Sequence, residues 1–299
     1  MRIGFGLPVS GAWASPANVA RFAARAEELG YHSLWTFQRL LVGVDQELDP
    51  GYHSVLDPLV ALGFAAAHTS RIRLGVAVVN LPFVSPAYLA KQAATLDVLS
   101  GGRVDLGLGT GWSAVEFAAT GADERRRGAR AEEYVAVLRT LWGDDVSEFH
   151  GGFYIVPPAR MAPKPVQLPG PPILLGGSAP AALRRAGRLA DGWISRSGTD
   201  LTRIGADIAV VRDAAREAGR DPDAVRAVCR GVVRVGTRGP LLSGSYADIR
   251  GDLDGLAAQG VTELFYDLNW DPRVSAPDAD PRAATRRAEE VIEALAPAG

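Results

Sequence analysis

The chain has 299 residues, a length that suits one large α/β barrel or two ordinary domains. Its 32 basic and 34 acidic residues nearly balance, and no block rich in lysine or arginine occurs. Nucleic acid and anionic membranes are therefore not expected partners, and a small molecule is.

The cysteine content and the N-terminal segment bear on the cellular compartment in which the protein is expected. Cys229 is the single cysteine, which excludes an intramolecular disulfide and fits a reducing environment. The N-terminal segment lacks the features of a secretory signal, and no apolar stretch approaches the roughly 20 residues needed to span a bilayer. A cytoplasmic protein without membrane segments is expected.

Eight strand-like runs alternate with segments of helical periodicity along the chain. The first helix is predicted from Ser15 as its cap, Pro16 as its opening residue and Gly30 as its stop. Strands are predicted at 2–7, 33–36, 72–79, 104–108, 173–175, 192–195, 227–235 and 261–267. Further helices are predicted near 56–69, 86–99, 130–142, 179–189, 201–218, 246–258 and 283–295.

This alternation predicts an α/β fold, a single (β/α)8 TIM barrel over residues 1–299, rather than two doubly wound domains. Two insertions, residues 109–129 and 143–172, precede the fifth strand and show no regular alternation. The segment SEFHGGFYIV predicts a small hairpin in the second insertion. The proline-rich run after it predicts neither a helix nor a central strand.

In such barrels the chemistry lies at the C-terminal ends of the strands. The four histidines show no ligand spacing, so no metal site is expected, and neither lysine lies on a strand to form a Schiff base. The strand ends also lack the facing carboxylates of a glycosidase. Their small, amide and aromatic residues suit a bound cofactor that carries the reactivity itself.

Two glycines follow the fifth predicted strand. Gly176 and Gly177 let the backbone approach a ligand, and a helix starting near Ser178 would direct free N–H groups at an anion such as phosphate. The same residues fit a tight strand-to-helix turn with Ser178 as an ordinary N-cap. The run GLGTG at 107–111 does not predict a dinucleotide site, because Trp112 holds the third glycine position.

Three segments carry a resemblance to known proteins: LGYHSLW after the first helix, IRLGVAVVNLPFVSPAYLAKQAATLDVLSGGRVDLGLGTGW through the third and fourth strands, and PKPVQLPGPPILLGGSAPAALRRAGRLADGW around the fifth. Together they resemble the bacterial luciferase-like monooxygenase and oxidoreductase superfamily, and within it the branch of coenzyme F420-dependent oxidoreductases. The resemblance implies an eight-stranded barrel that binds the deazaflavin F420, or alternatively FMN, at its top.

The resemblance also implies site residues. The cofactor phosphate would bind backbone N–H groups at the glycine pair, and a non-proline cis peptide bond would lie behind the ring at Ala77–Val78. Loop residues after the fourth strand would contact the ring. The implied cofactor-binding residues are Ala77, Val78, Asn80, Thr110, Gly111, Gly176, Gly177, Ser178 and Ala179.

One position departs from the family pattern. Many F420-using relatives end the second strand with an acid–histidine pair, where this chain has Gln38 and Arg39. Arginine stays protonated, so Arg39 cannot be a general base, but it can bind an anion or stabilise negative charge on the ring or on a substrate oxygen. Gln38 and Arg39 are therefore the candidate catalytic residues. Alternatively, Arg39 pairs with Asp45 or Glu47 in the next loop.

The substrate residues are predicted from the same strand ends. Trp112 replaces a glutamate of sugar-phosphate-oxidising relatives, which argues against a sugar phosphate substrate. Phe37 and Trp112 are predicted to form an apolar wall, although plain packing is an alternative. His53 and Arg196 complete the candidate substrate residues, with a surface role as the alternative for His53.

Three functions follow from the resemblance. The first is hydride transfer between F420 and a small, apolar organic substrate. The second is monooxygenation with reduced FMN and oxygen, with a separate reductase supplying electrons. The third is a non-catalytic cofactor-binding or partner subunit, which the replaced acid–histidine pair keeps open. A homodimer is expected from the family.

Overall fold

The structure is a computed structural model that describes residues 1–297. Twelve strands occur in this part of the chain. They are β1 (Arg2–Gly6), β2 (Ser33–Thr36), β3 (Arg73–Asn80), β4 (Val104–Gly109), β5 (Ser147–His150), β6 (Ile155–Ala159), β7 (Ile173–Gly176), β8 (Gly192–Ile194), β9 (Arg226–Val232), β10 (Arg234–Val235), β11 (Ser243–Gly244) and β12 (Glu263–Asp267).

Eight of these strands close a parallel barrel in the order β1-β12-β9-β8-β7-β4-β3-β2. Each barrel strand therefore pairs with the barrel strands before and after it in the chain, which confirms the predicted (β/α)8 fold. The other four strands lie in loops. β5 and β6 form the predicted antiparallel hairpin, and β10 pairs with β11.

The β10–β11 pair corrects one predicted element. The seventh strand was expected to run over 227–235, but β9 ends at Val232. Arg234 and Val235 instead pair with Ser243 and Gly244 in the two-stranded sheet. The apolar pattern continues past Val232, so the sequence does not mark the end of the barrel strand. The change of pairing partner, from the barrel strands to β11, marks it.

The helices surround the barrel. They are α1 (Pro16–Glu28), α2 (Pro58–Ala66), α3 (Pro86–Ser100), α4 (Ala114–Thr120), α5 (Arg127–Gly143), α6 (Pro180–Leu189), α7 (Ile204–Glu217), α8 (Tyr246–Ala258), α9 (Pro272–Ser275) and α10 (Pro281–Ala294). No helix among residues 1–297 is long and apolar enough to cross a membrane.

Local signals explain where several helices begin. In α1 the Ser15 hydroxyl accepts the backbone N–H of Asn18, and Pro16 occupies the first helical position, as predicted. Helix α4 was missed, because the insertion at 109–129 was expected to be irregular. It has only seven residues, too few for a clear helical period, and Gly121 ends it with a φ of 67°.

The N-terminal end of the barrel is filled by ion pairs rather than by apolar side chains. The buried carboxylate of Asp105 accepts hydrogen bonds from Arg73 at 2.7 Å and from Arg226 at 2.6 Å. Arg226 also donates to Glu263 at 2.8 Å. Burial raises the pKa of Asp105, but the two guanidinium groups outweigh burial and hold that pKa below its ordinary value.

An apolar layer lies above these charges. The Trp35 indole stacks on the Phe265 ring with centroids 5.2 Å apart. It packs over Gly75, where a Cβ atom would stand 2.4 Å from the indole. Side chains in the barrel alternate inward and outward, so the next inward residues toward the C-terminal ends are Phe37 on the chain after β2 and Asp267 on β12. This layer closes the floor of the candidate site.

Candidate active site

A cavity of about 610 Å³ lies at the C-terminal ends of the barrel strands. All of the predicted site residues line it except His53 and Ala179. Ala179 follows directly after lining residues, whereas His53 lies on the exposed surface with its Nε2 atom 3.4 Å from the carbonyl oxygen of Leu48. The structure therefore places His53 outside the cavity lining.

Small residues form one wall of this cavity. The Ala77–Val78 peptide bond is cis, as the resemblance implied, and the β3–β4 register shifts between Val76 and Val79. The shift brings Val78 toward the cavity. A Cβ atom on Gly109 would lie 2.5 Å from a methyl group of Val78, so a larger residue at position 109 would have to displace Val78. Ala77, Val78 and Gly109 all line the cavity here.

Backbone N–H groups without acceptors border the cavity beside this wall, where a Cβ atom on Gly176 would lie 3.3 Å from a methyl group of Val78. α6 begins at Pro180, its N-cap is Ala179, and no side chain caps it. The alternative that Ser178 is the N-cap is therefore wrong. Gly177 has a φ of 128°, and within residues 1–297 the N–H groups of residues 177–179 have no hydrogen-bond acceptor. They are available to an anion, and the helix dipole favours one there.

The guanidinium of Arg39 forms a buried ion pair that the sequence did not predict. Its Nη1 lies 2.9 Å from Oε2 of Glu116, and the two side chains are 3% and 1% exposed. The other Glu116 oxygen accepts the backbone N–H of Leu40 at 2.7 Å. Neither Asp45 nor Glu47 is the partner, as the alternative prediction had it. Glu116 lies on the missed helix α4, which explains why loop spacing could not identify it.

Two aromatic rings hold the same guanidinium group. Its carbon lies 4.6 Å from the centroid of Tyr52 and 4.4 Å from that of Trp112. Both distances fit cation–π contact. Stacking and the ion pair together fix Arg39, which lines the cavity, in one orientation. Tyr52 was not predicted, because the short 3-10 turn that carries it, Pro50–Tyr52, lies in an irregular loop.

The amide side chain of Gln38, the residue before Arg39, already makes one hydrogen bond. Oε1 of Gln38 accepts the backbone N–H of Asn80 at 2.8 Å. The amide N–H groups of Gln38 make no hydrogen bond within residues 1–297 and remain to face a ligand. Gln38 and Arg39 therefore present hydrogen-bond donors to the cavity, and neither side chain can accept a proton near neutral pH.

The predicted aromatic wall is larger than expected. Tyr52 packs edge to face against Trp270 at 4.6 Å and against Trp112 at 5.9 Å, and Phe37 lies 5.5 Å from Trp270. Trp270 is buried and donates its indole N–H to Asp267, so it supports the wall from behind. Trp112 is 51% exposed and lies at the mouth.

A second arginine was missed at the seventh barrel strand. Arg230 on β9 lines the cavity, is buried, and donates from Nη2 to the carbonyl oxygen of Ala77. Its Nε lies 3.4 Å from Oδ2 of Asp267. The sequence could have indicated it, because Arg230 stands two residues from Val228, which faces the barrel interior, and the strand period is two.

The charges around the cavity have one sign. Arg39, Arg196 and Arg230 line it, and no aspartate or glutamate within the described residues does. Glu116 and Asp267 neutralise two of these arginines from behind. Arg196 has no ion-pair partner within residues 1–297, so the cavity favours an anionic or electron-rich ligand.

Comparison with known sequences gives relatives of two cofactor types. An uncharacterized protein of Mycobacterium tuberculosis is 35% identical over 233 residues, covering 74% of this chain and 80% of that protein. The F420-dependent glucose-6-phosphate dehydrogenase of Kineococcus radiotolerans is 34% identical over 193 residues, covering 62% and 54%. The FMNH2-dependent dimethylsulfone monooxygenase of Pseudomonas putida is 38% identical over 151 residues, covering 49% and 40%.

Some matches span only part of the relative. Another uncharacterized protein of Mycobacterium tuberculosis is 41% identical over 165 residues, and the match covers 55% of this chain and 56% of that protein. The chain thus spans about half the length of several curated relatives that it matches.

Solved structures share the fold over nearly the full chain. A monooxygenase from Streptomyces bottropensis superposes with a TM-score of 0.81 at 24% identity, covering 99% of this chain and 98% of that one. An F420-dependent secondary alcohol dehydrogenase gives a TM-score of 0.77 at 19% identity and covers 98% of each. The family model described as luciferase-like monooxygenase matches residues 3–248. With this match and the barrel described above, the chain belongs to the luciferase-like monooxygenase family.

Proposed function

We propose that the protein is an oxidoreductase that binds coenzyme F420 in the 610 Å³ cavity and transfers a hydride between it and a small, mostly apolar organic substrate. The observation that carries the proposal is that the small residues Ala77, Val78 and Gly109 and the open backbone N–H groups at residues 177–179 occur at the same cavity. Bound F420 supplies a ring carbon that accepts or donates the hydride.

The residues fit such a cofactor in two places. Ala77, Val78 and Gly109 offer small side chains against which a tricyclic ring would lie, and Thr110 and Gly111 line the same cavity. Nearby, the N–H groups of residues 177–179 are the acceptor-free donors that a phosphate needs, at the start of a ten-residue helix.

Arg39 is assigned to charge stabilisation rather than to proton transfer. Its side chain is held by Glu116 and two aromatic rings, so its remaining donors keep a fixed direction. A fixed cation stabilises negative charge on the ring or on a substrate oxygen without reorganising. The Gln38 amide adds a neutral donor beside it, and Phe37, Tyr52 and Trp112 give the cavity an apolar wall for the substrate.

A second candidate is monooxygenation with reduced FMN, served by a separate reductase. One observation favours it: no proton-accepting side chain occurs at Gln38–Arg39, where many F420-using relatives have an acid–histidine pair. The relative from Pseudomonas putida uses FMNH2, which supports the same reading.

The two candidates separate by cofactor binding. Purified protein is titrated with F420 and with FMN, each oxidised and reduced, and the changes in absorbance and fluorescence are followed. Tighter binding of F420 supports hydride transfer, and tighter binding of reduced FMN supports monooxygenation. Binding of neither refutes both.

A variant tests the phosphate assignment in the same titration. Ser178→Asp places a carboxylate beside the open N–H groups and is expected to weaken cofactor binding by about tenfold or more through charge repulsion and occupation of the donors. Ser15→Asp is the matched control, because it makes the same change at the N-cap of α1 outside the cavity, where aspartate also caps. Equal affinities of the two variants would contradict the assignment.

A further inference from the structure

A smaller cavity of about 210 Å³ adjoins the cofactor cavity. It lies between the loop after β8, the end of β9 and the loop before β11, and it is called the side cavity below. Ser197 and Arg230 line both cavities, so the two spaces meet at these residues.

A buried arginine in the shared wall has unused hydrogen-bonding capacity. Arg230 is only 6% exposed. Its Nη2 donates to Ala77, but its Nε has no hydrogen bond and lies 3.4 Å from Asp267, too poorly oriented to be one. Its Nη1 makes no hydrogen bond to residues 1–297 but, unlike Nε, is not fully shut off from the cavity space. A buried guanidinium with free donors is costly unless a ligand accepts from them.

Other donors line the side cavity. Arg234 forms no ion pair within the described chain, although the nearby Arg238 pairs with Asp252 at 2.7 Å. The Ser197 hydroxyl has no partner there either. Thr199 accepts the backbone N–H of Arg196 at 3.2 Å, which leaves its hydroxyl hydrogen free to donate.

The acceptor groups of the side cavity are partly engaged. Oδ1 of Asp200 accepts both the backbone N–H of Thr202, at 3.0 Å, and its hydroxyl, at 2.6 Å, whereas Oδ2 has no hydrogen-bond partner among residues 1–297. The Ser243 hydroxyl donates to the carbonyl oxygen of Pro240 at 2.6 Å. Two arginines and two hydroxyl groups are left to donate, and the two positive charges outnumber the single negative charge of Asp200 in the lining, a balance that favours an oxyanion.

We propose that the side cavity binds an oxyanion, a carboxylate or a phosphate, belonging to a molecule whose remainder lies in the cofactor cavity. That molecule is either the substrate or the cofactor through its acidic side chain. The space suits such a group with a few carbon atoms, since one water takes about 30 Å³ of liquid volume. The inference deepens the proposed function and rests on it for the ligand of the larger cavity.

Anion binding tests the proposal without any activity assay. Acetate and inorganic phosphate are titrated calorimetrically into the Ser178→Asp protein, in which the open N–H groups of residues 177–179 are blocked. Arg234→Gln in that background is expected to weaken binding by about tenfold, the loss of one charge-assisted hydrogen bond. Arg203→Gln is the matched control, because Arg203 is exposed, lies next to lining residue Thr202 and does not line the cavity.

The outcomes separate the proposal from its rivals. Saturable binding that Arg234→Gln weakens and Arg203→Gln leaves within twofold supports an oxyanion site. No saturable binding, or equal binding by both variants, overturns it. If neither F420 nor FMN binds while the Arg234-dependent anion binding persists, the proposed function is wrong but the oxyanion site in the side cavity is still supported.

A second titration identifies the source of the oxyanion. F420 and a deazaflavin without the phosphate and carboxylate side chain are titrated into the otherwise native protein and into Arg234→Gln. A tenfold loss for F420 alone assigns the oxyanion to the cofactor. Unchanged affinities for both, with acetate still binding to the cofactor-loaded protein, assign it to the substrate. Loss of acetate binding in the loaded protein together with unchanged F420 affinity overturns the proposal.

Discussion

The buried pair of Arg39 and Glu116 makes the sharpest test of the site's electrostatics. Glu116→Gln keeps an amide oxygen that can accept the backbone N–H of Leu40, but it leaves the Arg39 cation without its counter-charge. Removing one partner of a buried pair costs about 3–5 kcal/mol. Because glutamine preserves the shape and one hydrogen bond, a loss of about 3 kcal/mol in the free energy of unfolding is expected.

The measurement is urea unfolding followed by tryptophan fluorescence, with linear extrapolation to water. Glu47→Gln is the matched control: it removes the same charge from an exposed residue of the adjoining loop, and a change within about 0.5 kcal/mol is expected. The double variant Arg39→Gln/Glu116→Gln completes the cycle. Because it leaves no buried charge unpaired, its loss should be about 2–3 kcal/mol smaller than the sum of the single losses.

Two results would refute this reasoning. If Glu116→Gln costs less than about 1 kcal/mol, water reaches the pair and the low exposure of both side chains does not describe the protein in solution. If the two single losses add to the double loss within about 0.5 kcal/mol, the residues do not interact, and Arg39 owes its position to the aromatic rings alone.

Three further predictions follow. Because the pKa of Asp105 is lowered in the folded protein, its carboxylate stabilises the fold at pH values above the ordinary pKa of about 3.9, and this contribution is lost as the pH falls through the lowered pKa. The free energy of unfolding, measured in urea, should therefore fall less between pH 5 and pH 3 in Asp105→Asn than in the native protein. Burial raises the pKa of Cys229 to about 12, so a thiol reagent should modify it only in denaturant. Gly109→Ala should displace Val78, weaken cofactor binding and cost about 1–3 kcal/mol of stability, whereas Gly255→Ala on the open face of α8 should be neutral or stabilising.

Local chemistry made much of the fold predictable. Ser15 followed by Pro16, and Gly30 after the apolar stripe, set the ends of α1, because capping and left-handed backbone are properties of single residues and their neighbours. The alternation of strands and helices predicted the barrel for a similar reason. The two-residue period of a strand and the 3.6-residue period of a helix both depend on side chains that are close together in the chain. The predictions for α4 and for the end of β9 were wrong, because contacts with segments distant in the chain decide whether such short or ambiguous elements form.

The candidate site shows the same division. Strand ends and the family resemblance predicted the lining at Gly176, Thr110 and Arg39, because all parallel strands of a barrel end at one face. The partner of Arg39 lies 77 positions away on a helix that the sequence did not predict. Arg230 lies within a predicted strand, but its contacts with Ala77 and Asp267 join it to other strands. The sequence alone thus determined which backbone and side-chain types reach the site. Only the tertiary structure decided which charges are neutralised and which donors remain free, because those contacts join segments that no local pattern relates.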